Sequence, residues 1–210
     1  TGLADATGKQ FIDGTVDLQD GQFTIIASSK VGATIADDIK LSAVWAVIFS
    51  LIVIFLYILV RFRKMSYSLG AVAAVFHDVL IVLAIFSFFY GKLPFSLEID
   101  QAFIAAILTV IGYSLNDTVV VFDRVREYFG IKSGSRADIV NAALNSTLSR
   151  TLITSLTTFF VLLVIFIFGG EVIRGFMFAL MVGVVVGTYS SLFIATPIML
   201  DTMKDEDEEK

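Results

Sequence analysis

Cysteine is absent from the 210 residues, and histidine occurs once. No disulfide framework, thiol nucleophile or cysteine-ligated metal is therefore available. One His among scattered acids makes a poor metal site, and no metal or cofactor is expected. Proline occurs twice, and only 17% of residues are charged, against roughly 25% in soluble domains. What remains is apolar: 57% hydrophobic, 13% aromatic, mean hydropathy +0.87. Long runs nearly free of charge, each close to the ~20 residues that cross a bilayer as a helix, identify an integral membrane protein. A soluble globular enzyme is excluded. The net charge of −5 misleads if spread over the chain, because Asp201–Lys210 holds six acids and two lysines. The rest is close to neutral, so neither nucleic-acid binding nor a basic surface peptide is implied.

Five apolar segments are predicted to span the membrane: 41–60, 69–90, 101–122, 151–168 and 175–200. They must be helical, since the hydrocarbon offers no water to an open backbone. Basic residues set the orientation. Arg61, Arg63, Lys64, Arg124, Arg126, Lys132, Arg136, Arg150, Lys204 and Lys210 fall on one side, against Lys9, Lys30, Lys40, Lys92 and Arg174 on the other. The ten-residue side is expected in the cytoplasm. That places residues 1–40 outside and the acidic tail 201–210 inside, with a cytoplasmic loop at 123–150.

Within the first 40 residues, Ile12, Val16 and Leu18 alternate with polar neighbours, and Asp20-Gly21 signals a turn before Gln22–Ala27. So few apolar positions cannot build a core of their own. They read as the trailing strands of a larger extracytoplasmic domain. The chain begins at Thr1 without a signal pattern and reads as part of a longer protein. In the loop, Ser135-Arg136-Ala137-Asp138 forms a capping box, so a helix should start near Arg136.

A charged side chain at the centre of a span costs about 2.5–3.5 kcal/mol on insertion scales. Such residues persist where they face a bundle interior and pair or act. Asp117 is the strongest case: it sits inside Asn116-Asp117-Thr118 and is followed by Val119-Val120-Val121-Phe122. Ala105, Thr109, Gly112 and Asn116 form a small and polar stripe on the same helix. The next span answers with Thr147, Arg150, Thr151, Thr154, Ser155, Thr157 and Thr158. Two antiparallel helices would bring these faces together and set Arg150 near Asp117. A carboxylate whose proton affinity depends on helix arrangement is what a proton-coupled transporter needs. A buried Asp–Arg pair that only locks two helices is the plainer alternative. Asp78, beside His77, is a second intramembrane acid, either functional or ordering its helix from a hydrated pocket.

The last span carries Gly175, Ala179, Gly183, Gly187, Ser191 and Ala195 at every fourth position. Small residues at this spacing let another backbone approach closely. The stripe is either a sliding interface or a static one.

The stretch AAILTVIGYSLNDTVVVFDRVRE (Ala105–Glu127) resembles the signature of the SecF branch of the SecD/SecF protein-export family. NSTLSRTLITSLTTFFVLLVIFIFGG (Asn145–Gly170), HDV at His77–Val79 and ATPIMLD at Ala195–Asp201 are similar to the same family. One departure is Val31-Gly32-Ala33, where the family often has a proline. The resemblance implies an RND-type bundle of six membrane helices, of which this all-α chain holds five, with remnant β-strands of the extracytoplasmic domain at its N-terminus. It implies a protein that works with SecD, separate or fused, beside the Sec channel and its ATPase motor in the bacterial inner membrane. There it would use the proton-motive force to help draw exported preproteins across. The family's intramembrane Asp and Arg of the proton pathway fall on Asp117 and Arg150.

Three rivals remain open. An intramembrane aspartyl protease would need Asp78 and Asp117 to share a proton, but such enzymes carry YD and GxGD settings, here HD and ND. A small-molecule exporter of the same superfamily would need substrate-binding outer domains. A scaffold that only holds SecD or the channel would be indifferent to neutralising Asp117.

Overall fold

The computed structural model describes residues 10–11, 22–23 and 33–203. The chain divides into two compact units, Thr1–Lys40 and Leu41–Lys210. In the first, Gln10–Phe11 and Gln22–Phe23 pair as short parallel strands, Gln10 opposite Gln22. Parallel pairing is not the product of a two-residue turn. The expected turn at Asp20-Gly21 and the alternating stretch from Ile12 to Leu18 lie outside the described residues, as does the tail beyond Met203.

Five helices are long and apolar enough to cross a membrane: α1, with its span at Leu41–Phe62, α2 (Met65–Phe89), α3 (Gln101–Ile131), α4 (Arg136–Phe168) and α5 (Glu171–Thr202). Helix α1 itself starts at Ala33. The segment expected as a loop over 123–150 is mostly helix. Helix α3 runs nine residues past Phe122 and α4 begins at Arg136, so only 132–135 join them. The apolar run ends at Phe122, but the helix does not, because Arg124, Arg126 and Glu127 are good helix formers in water. Ser135 caps α4: its Oγ accepts from Asp138 N at 3.2 Å and donates to the Asp138 carboxylate at 2.6 Å. Asp100 likewise caps α3, accepting from Phe103 N at 2.8 Å.

Helix α5 packs on α2, α3 and α4 and forms the middle of the bundle. About half of its apolar window is buried, against 11% for α1 and α4, whose flanks are left exposed. Two aromatic clusters close the interior at its ends. Phe62 stacks on Tyr67 at 4.9 Å with Phe122 edge-on to both. At the far end Phe86, Phe95, Phe103, Phe166 and Phe178 meet at 4.4–6.4 Å. Between them lies a buried polar layer.

The small-residue stripe of α5 does not face one helix. A repeat of four overshoots the 3.6-residue turn by about 40° each time, so the stripe winds around the helix. Gly175 looks onto the Ser96 carbonyl, before α3. Gly183 and Gly187 face Val110 and Ser114 of α3, and the Ala195 carbonyl presses onto Gly70 of α2. A β-carbon on Gly183 would overlap the Val110 side chain, and one on Gly70 the Ala195 carbonyl. At Ser191–Ala195 the helix opens into a π turn, two residues before Pro197. Proline removes a hydrogen bond and crowds the preceding turn. The wider turn gives it room, with Thr196 Oγ1 bonded to the Ser191 carbonyl at 3.0 Å.

Candidate functional site: a buried carboxylate layer

Asp78 projects from α2 into the bundle and is fully buried. Its Oδ2 accepts from Ser114 Oγ of α3 at 2.6 Å and from Ser190 Oγ of α5 at 2.8 Å. Its Oδ1 lies 3.2 Å from Nδ1 of His77, a side chain that is 30% exposed. The carboxylate is thus met by hydroxyls from two other helices rather than by open space. Burial of an acid is tolerable only with such partners.

Asp117 of α3 is also buried. Its Oδ2 accepts from Ser155 Oγ of α4 at 3.3 Å, and Ser155 in turn accepts from Thr188 Oγ1 of α5 at 2.5 Å. Thr118 turns another way: its hydroxyl lies 2.9 Å from Ser191 Oγ and 3.0 Å from the Ser114 carbonyl. Ser191 Oγ also reaches the Ser114 and Gly187 carbonyls. The serines and threonines of α5 at 188, 190 and 191 therefore touch both acids' surroundings and join α2, α3 and α4 in one layer.

Arg150 does not bond to Asp117; among the described residues no ion pair joins them. The cause is register. Tyr113 OH meets Thr158 Oγ1 at 3.3 Å and Asp117 meets Ser155, so α3 and α4 run antiparallel with Arg150 level with the residues just past Val120. That is five residues from Ser155, about 7.5 Å along the helix. Arg150 is exposed and lines a cleft of about 220 Å³ with Val120, Asp123, Arg124, Glu127 and Thr147.

Asn116 faces outward. It is exposed, as are Ala105, Thr109 and Gly112, so the whole α3 stripe lies on the outer surface rather than against α4. Neighbours on a helix point about 100° apart, so Asn116, Asp117 and Thr118 serve three directions. Arg150, Thr154 and Thr157 of α4 are exposed too. Sequence reasoning missed Ser114, Thr188 and Ser190. Hydroxyls are common in apolar spans, and only their spacing from an acid on a different helix, invisible in one dimension, marks these three.

A helical bundle with five membrane-length helices around a buried layer holding two carboxylates defines a multi-pass membrane protein. Residues 12–205 match the family described as protein export membrane protein SecD/SecF, C-terminal. The chain belongs to the SecD/SecF protein-export family. It is 57% identical over 178 residues to the protein translocase subunit SecF of Rhodothermus marinus, covering 84% of this chain and 58% of that one. Against the SecF of Sebaldella termitidis it is 39% identical over 201 residues, 95% of this chain and 63% of the relative. A crystal structure of SecDF in its super-membrane-facing form superposes with a TM-score of 0.68 at 39% identity, over 81% of this chain and 22% of that one. The chain thus spans about three fifths of these two curated relatives.

Proposed function

We propose that this chain is the C-terminal membrane part of an accessory subunit of the Sec translocase, which uses the proton-motive force to assist export of unfolded proteins. The observation that carries this reading is Asp117: a buried acid inside a span, bonded among the described residues to the Ser155 hydroxyl alone, with Arg150 nearby and in no ion pair among those residues. Proton binding at Asp117 changes which helix arrangement is favoured, and Arg150, about 7.5 Å away along α4, takes part in the alternative one. Asn116 and Thr118 flank the acid and set its helix face, and Asp78 is a second proton-accepting position. Moving one charge through 100 mV is worth about 2.3 kcal/mol, enough to bias helix arrangements that differ by a few kcal/mol.

Its partners in this reading are SecD, fused or separate, the Sec channel with its ATPase motor, and exported preproteins. The exposed α3 stripe supports a helix partner, because Asn116 has no hydrogen-bond partner among the described residues and a lipid-facing amide is costly. The membrane is the bacterial cytoplasmic one, with residues 1–40 outside as the end of an extracytoplasmic domain and residues 201–210 inside. The chain works as a transport subunit and not as an enzyme.

The test is gradient-dependent translocation into vesicles carrying the full-length complex, wild type against Asp117→Asn. Loss of gradient stimulation with assembly and ATP-driven translocation intact is the expected result. Full stimulation in the variant would leave Asp117 a packing residue and favour the scaffold reading.

A further inference from the structure

At the end of the bundle where α1 joins α2 and α3 joins α4, a cleft of about 1420 Å³ opens. Six cations line it (Arg61, Arg63, Lys64, Arg126, Lys132 and Arg136), and among the described residues no carboxylate does; Lys64 and Arg136 have partners of their own, Arg136 donating to the Met203 carbonyl at 3.1 Å. Arg61 is neutralised by Asp123, donating to both of its carboxylate oxygens at 2.8 and 3.0 Å. Arg63 and Arg126 make no ion pair among the described residues, and the Lys132 ammonium lies 4.3 Å from the Tyr128 ring. Arg63, Arg126 and Lys132, in no ion pair among the described residues, repel one another and favour an anion among them.

The backbone adds to the field. Helix α2 starts at Met65, and its preceding residue, Lys64 of the cleft wall, makes no side-chain cap on the first free N–H groups. A helix N-terminus favours anions. The remaining wall is apolar and aromatic, including Phe62, Tyr67, Phe129 and Ile139. A free phosphate needs neither that wall nor a cavity larger than the roughly 300–1,000 Å³ of a drug-sized ligand. We propose that this cleft is a binding site for an anionic phospholipid, its phosphate held by Arg63, Arg126 and Lys132 and its glycerol and upper chains laid on the aromatic wall. Basic pockets between helix ends at a membrane surface take such head groups. The site goes beyond the transport reading and does not depend on Asp117.

The test uses the full-length protein in phosphatidylcholine nanodiscs doped with phosphatidylglycerol, with co-retained lipid counted by native mass spectrometry. Wild type is expected to keep phosphatidylglycerol over phosphatidylcholine. Changing Arg63, Arg126 and Lys132 together to Gln should weaken retention by roughly a hundredfold, about fivefold per cation. The variant Arg63→Lys with Arg126→Lys should recover most of it, and circular dichroism checks that all three fold alike. Equal retention by the Gln variant would overturn the proposal. So would displacement of the lipid by inorganic phosphate, which marks a free-anion site. Retention that appears only after the acids at 205–209 are neutralised would make the chain's own tail the occupant, and would overturn it too.

Discussion

Asp78 and Asp117 announce themselves in the sequence for the same reason, a charge inside an apolar run, yet the fold treats them differently. Asp78 is held by two hydroxyls and a histidine and is fully enclosed. Asp117 has one long bond, to Ser155. The first arrangement is that of a structural anchor, joining three helices. Asp78→Ala strands the Ser114 hydroxyl, while Ser190 keeps the Gly187 carbonyl at 3.1 Å; it should cost about 1–3 kcal/mol, the cost of one buried unsatisfied group. Asp78→Asn, which keeps an acceptor oxygen, should cost less than half of that. Thermal unfolding of the purified protein in detergent ranks them, and equal melting of Ala and wild type would remove the anchor role. By contrast Asp123→Asn should shift stability by under about 1 kcal/mol, because its pairing with Arg61 is half exposed.

Among the elements, the α5 stripe shows where reading in one dimension stops. Its period of four is plain in the sequence, and so is the close approach that small residues allow. That the stripe serves the segment before α3, then α3, then α2 comes from the 40° drift per step, and no residue type announces it. Helix ends were similarly half legible. Ser135 and Asp138 marked the start of α4 correctly, while α3 ran past Phe122 because hydropathy locates the membrane and not the helix. Gly183→Leu should push Val110 and α3 away, at a cost of roughly 1–3 kcal/mol or loss of folded protein. Gly112→Leu, on the exposed stripe with open space around it, should leave the isolated chain as stable as wild type. Melting temperatures in detergent decide both; a stable Gly183→Leu would mean that α3 and α5 are not in fixed contact.

For the molecule as a whole, the bundle is finished on one side and open on the other. Residues Thr109, Gly112 and Asn116 of α3 and Thr154 and Thr157 of α4 are polar or small, membrane-embedded and uncovered. Sequence placed these residues on two facing surfaces; the structure turns much of both outward, which a single chain could not reveal without its packing. A photo-cross-linking residue at Thr109 or Gly112 in the full-length complex should capture the SecD-type partner. Cross-links to lipid alone at both positions would show that this face is not a protein interface. The absence of cysteine lets any single thiol introduced here be labelled without background from this chain.

The π turn at Ser191–Ala195 has a consequence for how the gene tolerates change. A π turn holds one residue more than the same stretch of α-helix, without rotating the helix on its C-terminal side. Removing the codon for exposed Phe193 should therefore convert the turn to ordinary helix and leave Met199 against Gly70. Removing the codon for Val182, about two and a half turns upstream, rotates everything after it by about 100° and tears that contact apart. A scan of single-codon deletions along α5, scored for membrane-inserted folded protein, should show a short tolerant window at 191–195 flanked by intolerant positions.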